Sequence, residues 1–118
     1  MGRQSFNIES VVQDARAKAN FALACLVVSK EFDCKPDDVV EGAGAFLFQQ
    51  KVAIYLSVVE FRSTQARVAL AVGCGETKIR GAVRAVEERR EDPDFDARMD
   101  RLVSRACPMA GGRPAVYG

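Results

Sequence analysis

The sequence predicts an all-α fold of five to six helices, and three observations predict it. Apolar residues recur at three- and four-residue steps along most of the chain. Glycine, proline and an Asp-Pro pair interrupt that pattern at intervals of about a helix length. Two of the segments are joined by a short glycine turn, the pattern of a helix-turn-helix, over about residues 63–91. A chain of 118 residues, 48% hydrophobic and 28% charged, has the size and composition of a single folded domain. That domain is expected over 1–106, and the two prolines and three glycines of 107–118 predict an irregular tail.

The elements follow in order. Ser10 with Gln13 suggests a capping box, after which Val12, Ala15, Ala19, Ala22, Leu23 and Leu26 form an inward stripe of a helix over about 8–32. Phe21, Ala24, Cys25, Val28 and Phe32 lie on its other faces, which predicts burial nearly all round, at the centre of the domain or partly against a second copy. Pro36-Asp37-Asp38 opens a short helix that Gly42-Ala43-Gly44 ends. Phe46 to Phe61 reads as a helix despite its β-branched content, with Phe48, Val52, Tyr55, Leu56 and Val59 at helical spacing. Ser63 is placed as the N-cap of a helix to about Val72, and Gly73-Cys74-Gly75 makes the turn. Thr77 to Glu91 follows with Ile79, Ala82, Val83 and Val86 inward. Asp92-Pro93 then opens a last helix facing inward through Phe95, Met99, Leu102 and Val103.

Composition narrows the function classes. The chain has no histidine, which removes the commonest general base and every Ser/His or Cys/His arrangement, so no enzyme and no catalytic residue are expected. Cys25, Cys34, Cys74 and Cys107 are too dispersed for a zinc knuckle, so neither metal nor cofactor is expected. The apolar run Phe21–Val28 is too short to span a bilayer and no secretory leader is evident, which together with four free thiols predicts a cytoplasmic protein without a membrane partner. The acidic triplet Asp92, Asp94 and Asp96 lacks the glycine and distal glutamate of a calcium loop and reads as a cap.

Charge is unevenly placed. Residues 42–86 hold six basic against two acidic side chains, whereas both flanks are slightly acidic. A basic centre coinciding with the glycine-turned helix pair points to double-stranded DNA, because a phosphate backbone responds to local patches rather than to the sequence average. The second helix of such a pair lies in the major groove, and its outer face would carry Thr77, Lys78, Arg80 and Arg84. Phosphate contacts would come from Ser63, Thr64 and Gln65 at the start of the preceding helix, with Lys51 and Arg62 nearby. Arg84, Arg89 and Arg90 also lie three or four positions from Glu87, Glu88 or Glu91, the spacing of weak surface pairs. A homodimer is expected to help, since one helix with few cations covers little DNA.

Residues 22–104 resemble the C-terminal, origin-binding domain of the bacterial replication initiator DnaA, an all-helical domain with a helix-turn-helix of the Trp-repressor type. Leu26-Val27-Val28-Ser29-Lys30-Glu31-Phe32 and Lys35-Pro36-Asp37-Asp38-Val39-Val40 are similar to that family's first two helices. Gln50-Lys51-Val52-Ala53-Ile54-Tyr55-Leu56 is similar to its Arg-Gln-Ile-Ala-Met-Tyr-Leu, and Thr77 to Glu88 to its threonine-initiated recognition helix. The resemblance implies DNA binding and a role in regulating transcription or replication. The family's signature Gly-Gly-Arg-Asp-His-Thr-Thr is here Gly73-Cys74-Gly75-Glu76-Thr77-Lys78, in which only Thr77 matches a contact residue, and its basic phosphate-gripping loop is the uncharged Gly42 to Phe48. The chain has no Walker loop, so an initiator's ATPase activity is not expected of it. The alternative is a DnaA-like domain repurposed for protein–protein contact through the Gly42–Phe48 segment or the apolar helix Phe21–Phe32.

Overall fold

A computed structural model describes residues 7–109. It is built of helices throughout, with no strand among the described residues. None of its helices is long and apolar enough to cross a membrane. The first helix, α1 (Ile8–Glu31), starts one turn earlier than a Ser10 cap would allow. Asn7 is the cap, its side-chain oxygen accepting from the Ser10 amide at 3.1 Å, so the Ser10–Gln13 capping box does not form.

The inward stripe of α1 also differs from expectation. Val12, Ala15, Ala19 and Ala22 are exposed, and Leu23 and Leu26 are half-buried. The core is met by Ala17, Phe21, Ala24, Cys25 and Val28, on the opposite side of the helix. Two apolar stripes half a turn apart compete in this sequence, and the one bearing the larger side chains wins because it removes more area from water. The packing partners of α1 are α2 (Pro36–Glu41), α3 (Leu47–Tyr55), α4 (Gln65–Val72) and α6 (Pro93–Ala106).

Proline sits in the first turn of α2, and Gly42 ends the helix with a left-handed φ of 62°. This glycine is required twice over. A side chain there would be strained by the backbone angle, and its Cβ would strike the side chain of Gln50. Gln50 is 2% exposed and donates from Nε2 to the Val40 carbonyl at 2.9 Å, tying α3 to the end of α2. A short 3₁₀ turn, Gly44–Phe46, leads into α3.

α3 does not continue regularly to Phe61. Leu56–Glu60 is a π-helical turn, closed by the Phe61 amide donating to the Leu56 carbonyl at 2.9 Å, and the buried Ser57 hydroxyl donates to the Ala53 carbonyl at 2.9 Å. The added residue changes the phase, so Val59 is 38% exposed rather than inward. The chain then reverses through Arg62, a non-glycine residue at φ 62°, with the Ser63 amide bonded to the Ser57 carbonyl at 3.0 Å. Thr64, not Ser63, caps α4, its hydroxyl accepting from the Arg67 amide at 3.2 Å.

Gly73 adopts a left-handed φ of 87° and ends α4, and Gly75 precedes α5 (Glu76–Arg89). Asp92 caps α6 by accepting from the Asp94 amide at 3.1 Å. From α5 and α6, Ile79, Ala82, Val86, Phe95, Met99 and Leu102 enter the core as expected, with Val83 and Val103 partly buried beside it. The irregular tail expected over 107–118 is represented only by a 3₁₀ turn, Cys107–Met109, and the remainder lies outside the described residues.

Arginines lock the last helix in place. Arg90 is not a solvated surface charge: it binds Asp96, donates to Asp100 at 2.7 Å and to the Tyr55 hydroxyl at 3.3 Å, and is only 20% exposed. Partial burial pulls its pKa down, but the hydrogen bonds to Asp96 and Tyr55 outweigh that and hold it above the ordinary arginine value. Arg98 reaches back to α1, donating to the Glu31 carboxylate at 3.0 Å and to the Glu31 carbonyl at 3.1 Å. Arg89 lies over the rings of Phe48 and Phe95 at 4.8 and 5.4 Å from their centroids.

Because Gly42 carries both a left-handed backbone and the Gln50 contact, Gly42→Ala is expected to destabilise the protein by about 2 kcal/mol or more. Urea denaturation measures it, and an unchanged midpoint would contradict the packing of Gln50 against this turn.

Candidate nucleic-acid interface

The α5 helix buries Ile79, Ala82 and Val86. Thr77, Lys78, Arg80 and Arg84 lie off that stripe and all four are exposed, as the sequence leads one to expect of an outer face. The separation follows from local chemistry. Gly73 turns the backbone through a conformation most residues avoid, so α4 and α5 are two helices rather than one rod. α4 and α3 both pack on α5 from its buried side.

The polar groups on this face have partners of their own. The Thr77 hydroxyl accepts from Arg80 Nη2 at 3.4 Å, holding Arg80 back toward the start of the helix. Arg84 pairs with Glu88 at 3.6 Å, both side chains well exposed, an interaction worth a few tenths of a kcal/mol that a phosphate could replace. Glu76, Glu87 and Glu88 are exposed on the same helix, so its positive field is concentrated in the stretch from Lys78 to Arg84.

The expected phosphate-contacting residues are spread over neighbouring elements. Arg62 and Thr64 are exposed, Ser63 and Gln65 half-buried, and Lys51 half-buried on α3. Since the Thr64 hydroxyl is occupied by the Arg67 amide, the open donors at the α4 N-terminus are the amides of Gln65 and Ala66. Arg67, in the same basic stretch, is not available in the same way. Its Nε donates to Asp14 on α1 at 2.9 Å. A contact 53 positions away leaves no local signal in the sequence.

Other chemistry is sparse. No group of histidine, cysteine and acidic side chains among the described residues could hold a metal ion. Cys25, Cys34 and Cys74 are free thiols. Burial pushes the Cys25 thiol up to about 12, and burial with the nearby charges of Asp38 and Asp33 raises that of Cys34, so neither is poised as a thiolate nucleophile. The apolar helix Phe21–Phe32 offers no broad docking patch, because Phe21, Ala24, Cys25, Val27 and Val28 are core. Val40, just before the uncharged Gly42–Phe48 segment, and Leu47, within it, are exposed.

Two glycines of this region should respond oppositely to substitution. Gly81 lies on the exposed side of α5, where an added Cβ meets nothing within 4 Å, so Gly81→Ala should stabilise by about 0.5–1 kcal/mol. Gly73→Ala, against a φ of 87°, should destabilise by about 1 kcal/mol or more. Thermal denaturation of the two variants gives the signs directly, and a shift in the same direction for both would contradict the turn geometry. No family model, curated protein or solved structure matches the chain.

Proposed function

We propose that the chain is a small DNA-binding protein of the helix-turn-helix type, similar in architecture to the DnaA origin-binding domain, acting as a regulator of transcription or replication. The observation that carries this reading is the exposure of Thr77, Lys78, Arg80 and Arg84 together on a helix set off from its predecessor by the left-handed turn at Gly73. Lys78 and Arg80 sit at the N-terminal end of α5, the end that reaches base edges when such a helix enters the major groove. Arg84, one turn further, is placed for backbone contact once it releases Glu88. Arg62 and the amides of Gln65 and Ala66 supply phosphate contacts at the start of the first helix of the pair, with Lys51, Ser63 and Thr64 at the edge of that surface. Gly81 on the exposed side of α5 leaves room for a close approach of helix backbone to DNA.

The target differs from that of the resembled family. Its base-reading arginine, aspartate and histidine have no counterpart between Gly73 and Lys78, and its basic loop is replaced by an uncharged segment. Specificity therefore rests on Thr77, Lys78 and Arg80. A protein-interaction role is favoured instead by the exposed Leu47 within that segment and Val40 just before it.

Fluorescence titration of labelled genomic duplexes is the test. Neutralisation of three to four phosphates predicts a log–log salt slope of about −3 to −4. Arg84→Ala should weaken binding to all sequences and reduce that slope by about one, whereas Lys78→Ala and Arg80→Ala should also blur the preference among sequences. No binding at about 50 mM salt would end the nucleic-acid reading in favour of the protein-contact one.

A further inference from the structure

The outer side of α1 carries apolar side chains that the core does not use. Ile8, Val11 and Val12 are 63%, 48% and 45% exposed, and Ala15, Ala19 and Ala22 are exposed further along the same helix. Ile8, Val12, Ala15, Ala19 and Ala22 are spaced by four, three, four and three residues, the alternation of a coiled-coil seam. The seam lies opposite the core-facing Ala17, Phe21, Ala24 and Val28, so packing among the described residues leaves it open.

We propose that this seam docks a second copy of the chain, with the two α1 helices antiparallel. Size and charge both select that occupant and that direction. In the antiparallel register that brings Val12 of one copy beside Ala15 of the other, Ile8 falls beside Ala19, so every layer sets a large side chain against a small one and the helices can approach closely. The flanking positions match in the same register. Glu9 falls beside the partner's Arg16, twice over by the two-fold symmetry, and Val11 lies under the stem of the partner's Lys18. Glu9, Arg16 and Lys18 are all exposed, as this requires. A parallel pair would set Arg16 beside Val11 and leave Glu9 without an opposite charge, so the antiparallel arrangement is the complementary one. The dimer stands independently of the nucleic-acid reading.

A seam of four layers is smaller than the ~800 Å² per partner of a standard interface, so the expected dimer is reversible, with a Kd of about 10–100 µM. Sedimentation equilibrium of the full chain, with circular dichroism to confirm folding, tests it. Glu9→Arg and Arg16→Glu each place like charges across the seam and should weaken self-association about tenfold or more. Glu9 and Arg16 are seven residues apart on one helix and do not touch, so the double variant E9R/R16E should recover dimerisation only if the two meet across a partner. Mixing the two single variants should likewise give a heterodimer tighter than either homodimer. A wild-type chain that stays monomeric to about 500 µM overturns the proposal and leaves the seam to another partner. So does a dimer that the single substitutions do not weaken, or a mixture of the two that does not associate.

Discussion

A short helix buried on every side governs the arrangement of the rest. Val52, Ala53, Ile54 and Leu56 are wholly shielded and Tyr55 nearly so, over five consecutive positions that point in every direction around the helix axis. Such a segment is stable only if neighbours cover its full circumference. α1, α2 and α5 supply that cover, and the π-helical turn closes its end. Two buried polar side chains help to fix where the chain bends: Gln50 bonds the end of α2 through Nε2, although its Oε1 is left without a partner, and Ser57 bonds the preceding turn.

The number and order of the helices could be read from the sequence because glycine, proline and Asp-Pro mark their ends by local chemistry. Gly42, Gly73 and Asp92-Pro93 act where they stand, through backbone angles and caps that need no distant partner. The face of α1 could not be read in the same way. Val12, Ala15, Ala19 and Ala22 form as regular a stripe as Ala17, Phe21, Ala24 and Val28, and periodicity alone does not say which one meets the core. The π turn was hidden for a related reason: it depends on Ser57 and Phe61 finding particular carbonyls, which a count of apolar spacings does not register.

For the candidate site, exposure of the α5 side chains followed from the inward placement of Ile79, Ala82 and Val86 on the same helix. What the sequence concealed was competition for charge. Arg67 is consumed by Asp14 on α1, so the basic stretch has one available cation fewer than its composition suggests, and Arg90 just beyond it is consumed by Asp96 and Asp100 on α6. Arg98, Arg101 and Arg105 gather around the Glu31 carboxylate at 3.0 to 3.7 Å, fastening the last helix to the first. Electrostatics in this fold is therefore divided between fastening, at the α1–α6 and α5–α6 contacts, and a remainder on the exposed side of α5, where Arg80 and Arg84 engage only neighbours on their own helix.

The π-helical turn at Leu56–Glu60 has one more residue than an α-helical turn would need, and α4 and α5 come directly after it. Removing that residue would leave α5 unchanged in sequence yet rotate its departure by about a hundred degrees about the axis of α3. The orientation of α5 thus has a control point that is separate from its side chains. Insertions and deletions at this one position would re-aim the same surface, a route to divergence that substitutions on the helix itself do not provide.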